Sequence, residues 1–414
     1  RGLGDVYKRQ HVLLPKKGTD MTKWAVVACD QFTSEPKYWE ELKDYVGSAP
    51  SALNVIFPEV YLGKDDAQRI DAINANMDKY LKSGVWEDTG ACFVLIERST
   101  PYTERRLGLV AAVDLEDYSF IREDKALIRA TEGTVVSRIP PRVKIRENAP
   151  VELPHIMLLI DDRKKEIIEG LYAQRESLEK VYDFELNMKG GHIRGWKVTD
   201  TGRVISQLNS LISPEAIKEK YGDTDEIMLY AVGDGNHSLA TAKACWDNVK
   251  KSLAPEKRED HPARFAMVEI ENLHDEGLAF EPIHRAVFNA DKDFTEGLLK
   301  LSGGEYECEI ITKEKTIPFM LPSNAALAVK TVQDYIDGYI EAHGGVQVDY
   351  VHGTDSLRSV ACENEGTVGI TLPPLSKYDL FDYVLKKGAF PRKTFSMGEA
   401  VEKRYYVEAR KIKE

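Results

Sequence analysis

Residues 229–246, LYAVGDGNHSLATAKACW, join an apolar run to a helical pattern through Gly233-Asp234-Gly235-Asn236-His237-Ser238. The spacing predicts a buried strand over 227–232 and a helix over 239–248. This constrains the fold most, because a strand that feeds a helix asks for a sheet with helices packed on it. The first N–H groups of a helix have no partner inside it, and the dipole end is positive, so such a turn favours phosphate or carboxylate. Gly233 and Gly235 let the backbone bend and approach a ligand. Asp234 is a candidate base or Mg²⁺ holder, and Asn236, His237 and Ser238 can donate to phosphate oxygens. The same string also reads as an ordinary turn in which Asn236 or Ser238 caps the helix. It is neither GxGxxG nor a P-loop, so neither dinucleotide nor P-loop binding follows.

Elsewhere the pattern mixes strands and helices irregularly. KWAVVACD, ending at Asp30, CFVLIER, RLGLVAAVDL, HIMLLID and ARFAMVEIENL read as strands. DDAQRIDAINANMDKYLKSG and AALAVKTVQDYIDGYIEAHG read as amphipathic helices, and RYYVEARKI as a terminal strand. The fold class expected is α+β (mixed α/β). With 414 residues the chain is too long for one ordinary core. The expected division is 11–250, carrying the motif, and 251–414, with one interwoven unit as the alternative. NVKKSLAPEKREDHPA is the candidate linker or surface excursion between them. Residues 1–10, RGLGDVYKRQ, read as translated sequencing adapter and are set aside from the fold.

Composition narrows the class. Hydrophobic residues at 43% and charged residues at 30% are those of a globular protein. The net charge of −12 carries no basic stripe, which argues against nucleic acid as a partner. Runs such as IMLLI are too short to span a bilayer, which argues against a membrane. The five cysteines form no CxxC pair, so zinc is not expected and a reducing cytoplasm is. Further polar clusters are candidates for the site. FEPIHRAVF places His284 and Arg285 among apolar residues, the position of a core histidine as much as of a ligand-binding one. PRKTFSMG gathers Arg392, Lys393 and Thr394 in a loop apt for phosphate, although a charged loop is usually only solvated. GGHIRGW carries His192 and Arg194 on a strand, and RATEGT offers Glu132 in a turn.

VDLEDY, TEGT, GHIRGW, GDGNHSLATA, EPIHRAVF and PRKTFSMG occur in the order and rough spacing of a bacterial family, domain of unknown function 1015, which the chain resembles from about Lys23 to Lys411. The central motif of that family, DGHHR followed by an aromatic and a TA pair, is similar to the phosphate-binding box of the ParB, sulfiredoxin and free-serine-kinase superfamily. Asp234, Gly235 and His237 match it. Asn236 replaces the first His, and Ser238 stands where Arg is usual. Loss of that Arg removes a fixed bidentate donor, and Arg285, Arg392 and Lys393 are the candidates to replace its charge.

The resemblance implies a ParB/sulfiredoxin-like core elaborated with further sheet and helices. It implies a nucleotide, ATP or ADP, with Mg²⁺ as cofactors, and no preformed metal site. It implies phosphoryl transfer to a small metabolite such as serine or phosphoserine, with Asp234 and His237 as the catalytic pair and Gly233, Gly235, Asn236 and Ser238 on phosphate. The alternative is a ParB-like nucleotide-binding regulatory module without chemistry.

Overall fold

The computed structural model describes residues 11–27, 36–134, 136–363, 365–398 and 402–413. It is an α+β protein of two compact units. One comprises residues 1–278 and 399–414, the other 279–398. The second unit is thus inserted into the first. A boundary after residue 250 falls inside the first unit, because the strand Phe265–Asn272 is central to that unit's sheet. The polar stretch before it holds the last turn of the helix Asn236–Ser252 and the largely exposed connection from that helix to this strand, and is not a linker between units.

The first unit is built on a mixed sheet of nine strands. Their spatial order is Tyr118–Ser119, Ile128–Ala130, Tyr230–Asp234, Met157–Ile160, Phe265–Asn272, Arg106–Asp114, Phe93–Ser99, His192–Val198 and Glu179–Glu185. Its central strands are apolar on both faces, as a sheet covered on both sides requires. Phe93 and Leu95 join one core layer with Leu109, Val113, Val268 and Leu158. Val94 and Ile96, pointing the other way by the two-residue period of a strand, join a second layer with Val110, Met267, Trp24 and Trp86.

That second face also carries charge. The same period puts Arg98 after Val94 and Ile96, Arg106 before Val110, and Glu269 and Glu271 after Met267. All four are buried. Gly108 leaves room for one of them, since a Cβ there would lie 2.3 Å from a Glu269 carboxylate oxygen. The chain covers this face with its last residues. Leu13 N–H donates to the Ala409 carbonyl at 2.8 Å, Ala409 N–H returns to Leu13 at 2.9 Å, and Tyr405 N–H reaches Val26 at 3.0 Å. Arg410–Lys411 pairs with Val151–Glu152. This segment brings in Glu402, Lys403, Arg404 and Glu408, again buried. Arg404 lies 3.2 Å from Glu269 and Arg106 lies 2.9 Å from Glu271.

The second unit has an antiparallel sheet in the order Thr316–Leu321, Tyr306–Ile311, Val368–Ile370, Phe280–Phe288 and Gln347–His352, with Phe395–Met397 on the first residues of Phe280–Phe288. The helix Ala325–Ala342 buries Ala328, Val329, Val332 and Ile336 against it. None of the described helices is long and apolar enough to cross a membrane.

Three buried guanidiniums of the first unit, Arg98, Arg106 and Arg404, thus face the carboxylates of Glu269, Glu271, Glu402 and Glu408. Burial pushes Glu271 up to about 8, helped by Glu269 and opposed by Arg106. Between the ordinary glutamate value and that pH, the folded chain holds a proton the unfolded chain has lost. Stability therefore falls as pH rises through that window. We expect urea unfolding, followed by tryptophan fluorescence, to show a loss on the order of 2 kcal/mol between pH 6 and 8.5. All five tryptophans lie in the first unit. Glu271→Gln, which keeps the neutral shape, should flatten that decline.

Candidate functional site

The motif strand is Tyr230–Asp234, hydrogen-bonded in parallel to Ile128–Ala130 and antiparallel to Met157–Ile160. It starts three residues later than the apolar run suggests, because Ile227 is 44% exposed and stays outside the sheet. The helix runs from Asn236 to Ser252, three residues earlier than expected. Asn236, His237 and Ser238 therefore form its first turn, and Leu239 N–H to the Gly235 carbonyl, at 3.0 Å, closes the first intrahelical bond. Leu239, Ala240, Ala242 and Trp246 are its buried face. Lys250 and Lys251 in the last turn suit the negative dipole end.

Gly235 sits between the two elements with φ +81°, a left-handed conformation that favours glycine. A Cβ there would lie 2.5 Å from the His155 carbonyl oxygen and 2.9 Å from Ile156 Cα. The turn is thus pressed onto the start of the neighbouring strand, and this close approach puts His155 beside Asp234. His155 Nε2 lies 3.3 Å from Asp234 Oδ2, while its Nδ1 faces the Arg404 carbonyl at 2.9 Å. Lys403 Nζ is 2.5 Å from the same Asp234 oxygen, and Gly235 N–H donates to Oδ1 at 2.8 Å. Burial opposes the charge of Asp234. Lys403 and then His155 outweigh it and hold the carboxyl well below the usual carboxylate range. The site is an ionised Asp with an ammonium and an imidazole, set at the positive end of a helix.

His237 and Ser238 are half-buried in the first turn. Thr241 Oγ1 donates to the His237 carbonyl at 2.7 Å. Asn236 Oδ1 is buried and has no hydrogen-bond partner among the described residues. Gly233 is the penultimate residue of the strand. Glu132 follows the parallel neighbour, where Ala130 opposite Val232 brings it to the same end of the sheet as Asp234. His192 and Arg194 lie on a strand separated from the motif strand by four others, about 24 Å away across the sheet. There His192 bridges Asp183 and Glu185 at 2.6 Å each, and Arg194 pairs with Glu97. Asp30 lies outside the described residues.

The remaining candidates belong to the second unit. Arg285 is fully buried and donates to Gln333 at 2.8 Å, to the Ile283 carbonyl at 2.7 Å and to the Arg392 carbonyl at 3.2 Å, with its guanidinium over the Tyr350 ring. Arg392 donates to Tyr350 Oη at 2.8 Å. Lys393 has φ +58°, and Thr394 Oγ1 donates to the Pro391 carbonyl at 2.7 Å. His284 accepts from Leu372 N–H at 3.1 Å through Nδ1. Burial, with Arg285 and His352 adding, pushes it down to about 4.

In the first unit the cation at the motif is Lys403, which the sequence reading passed over together with His155. His155 opens the apolar run HIMLLI, a polar residue at the start of a strand as Asp234 is at the end of one. Lys403 carries no such signal. Among the described residues, no group of three or more His, Cys, Asp or Glu side chains is placed to hold a metal ion.

Two outcomes test this geometry. Gly235→Ala should cost about 1 to 3 kcal/mol, from its φ and its contact with residue 155, measured by chemical denaturation. His284 should stay neutral, with its proton on Nε2, down to about pH 4. The unfolded chain takes that proton near the ordinary histidine value, so the second unit loses stability as pH falls between the two. Histidine NMR titration and amide exchange at Leu372 would show both effects, and His284→Gln should remove the acid-side loss.

Three solved structures are similar to this chain at low identity. A free serine kinase variant in complex with AMP is 10% identical, with 73% of this chain and 92% of that chain covered and a TM-score of 0.41. A conserved hypothetical protein from Pyrococcus furiosus is 13% identical, covering 70% and 90%, TM-score 0.35. SbnI from Staphylococcus aureus, with a C-terminal truncation, is 10% identical, covering 70% and 82%, TM-score 0.35. Likeness at this level says nothing of what this chain binds. No curated protein matches it. Residues 13–355 match the family described as protein of unknown function (DUF1015), and the chain belongs to that family.

Proposed function

We propose that the first turn of the motif helix binds the phosphates of a nucleotide, ATP or ADP. The first unit would then transfer a phosphoryl group between that nucleotide and a small hydroxy compound, with serine or phosphoserine the first to test. The observation that carries this reading is the Lys403 ammonium, held 2.5 Å from Asp234 at a helix start that opens with left-handed Gly235. Backbone N–H groups, a helix dipole and a fixed ammonium at one point are what a phosphate needs. His237 and Ser238 add donors from the same turn.

Phosphoryl transfer asks mainly for positioning and charge stabilisation. The substrate oxygen attacks phosphorus, the bond to the leaving nucleotide oxygen breaks, and the hydroxyl proton leaves to solvent or to a neighbouring base. Asp234, held ionised with partners on both oxygens, is suited to fixing Lys403 and His155. An ammonium and an imidazole on one oxygen and an N–H on the other do not fit a divalent cation, so no step is derived through Mg²⁺. The same full set of partners makes Asp234 a weak proton acceptor. That favours, as a second reading, a nucleotide-binding module without chemistry.

Calorimetric titration with ADP and ATP, with and without Mg²⁺, and a phosphorylation assay with serine separate the two readings. Asp234→Asn and Lys403→Met should each weaken nucleotide binding by at least about tenfold, which is about 1.4 kcal/mol, and abolish turnover if there is any. Lys250→Ala, at the far end of the helix, should do neither. Unchanged affinity and turnover in both site variants would rule out the phosphate site.

A further inference from the structure

A cavity of about 180 Å³ lies in the first unit, directly against the motif helix. Ser238 and Thr241, in its first two turns, form one wall. The lining also has aliphatic side chains, among them Val55, Ile73 and Met77. The lining is not purely apolar. Arg142 is paired with Glu59, and Arg146 lies 2.5 Å from Glu152, whose side chain is 3% exposed.

Each feature limits what can enter. An apolar cavity of about 150 Å³ accepts a single benzene ring, so this volume is enough for a flat ring system. Aliphatic walls suit the faces of such a ring. Arg142 and Arg146, each held by a carboxylate, keep further guanidinium N–H groups on the lining, which suits an edge that carries ring nitrogens. Ser238 belongs both to the cavity wall and to the turn at which phosphate would lie. Thr241 is five residues beyond Asn236, about 7.5 Å along the helix, a distance that a sugar bridges.

We infer that this cavity receives the heterocyclic base of the nucleotide whose phosphates lie at the start of the motif helix. The inference rests on the phosphate-site reading above and adds to it where the selectivity for a nucleoside resides.

The test compares ADP with inorganic pyrophosphate, which offers phosphates and no base, by calorimetric titration. The proteins are the wild type, Ile73→Trp and Ala149→Leu, two ways of filling the cavity from different walls. Circular dichroism and thermal midpoints confirm which variants fold, and the second serves if the first does not. The wild type should bind ADP at least tenfold more tightly than pyrophosphate. Filling the cavity should remove that advantage while pyrophosphate affinity stays within twofold. ADP affinity unchanged in a folded variant would overturn the base site and leave the phosphate site standing, as would a wild type that binds both ligands equally. Equal loss of both ligands would also overturn it, since the cavity would then act only through the phosphate site. A wild type that binds neither ligand would overturn the phosphate reading and this inference together.

Discussion

Arg404 sits at 2% exposure between Glu269 and Glu408, and the rest of the first unit is arranged around it. Burial alone would strip its charge. The two carboxylates outweigh burial and raise its pKa instead. An arginine in that position cannot leave without stranding carboxylates in the core, a cost of several kcal/mol. This holds the segment Glu402–Lys413 on the sheet although the chain reaches it only after the whole second unit. The segment has little regular structure to hold it by propensity, since only Arg410–Lys411 pairs as a strand. Its ion pairs, its backbone bonds to Leu13 and Val26, and the Trp24 indole bond to the Val407 carbonyl at 3.1 Å keep it in place.

The candidate site inherits its cation from that arrangement. Lys403 precedes Arg404, and the Arg404 carbonyl receives His155 Nδ1. Fixing the arginine therefore fixes both partners of Asp234 in one step. Gly235 completes the geometry from the other side, because only a residue without Cβ lets the turn come within contact of residues 155 and 156. The site is a meeting of three chain segments, and each is held by something other than the site itself.

The motif turn could be read from the sequence because its determinants are local. An apolar run, two glycines and an alanine-rich helical pattern lie within 18 consecutive residues. Neighbours in sequence decide whether a strand ends and a helix begins. The element limits shifted by three residues, since Ile227 stays exposed and Asn236 enters the helix. His155 and Asp234 are 79 residues apart, and Arg404 and Glu269 are 135 apart, so no periodicity or spacing relates them. Nor does the pattern show that residues 279–398 are an insertion, because the strands on either side of it look like any others.

The sequence by itself determined the α+β class and the strand-to-helix turn at Gly233–Ser238, both of which follow from backbone propensity and hydrophobic periodicity. Only the tertiary structure decided which cation faces Asp234, that Arg285 spends its charge on carbonyls within the second unit, and that four strands lie between the motif strand and the strand of His192 and Arg194. The physical reason is common to all three. A charge is placed by where burial and opposite charge can be balanced in space, and that balance is struck between segments whose separation along the chain carries no signal.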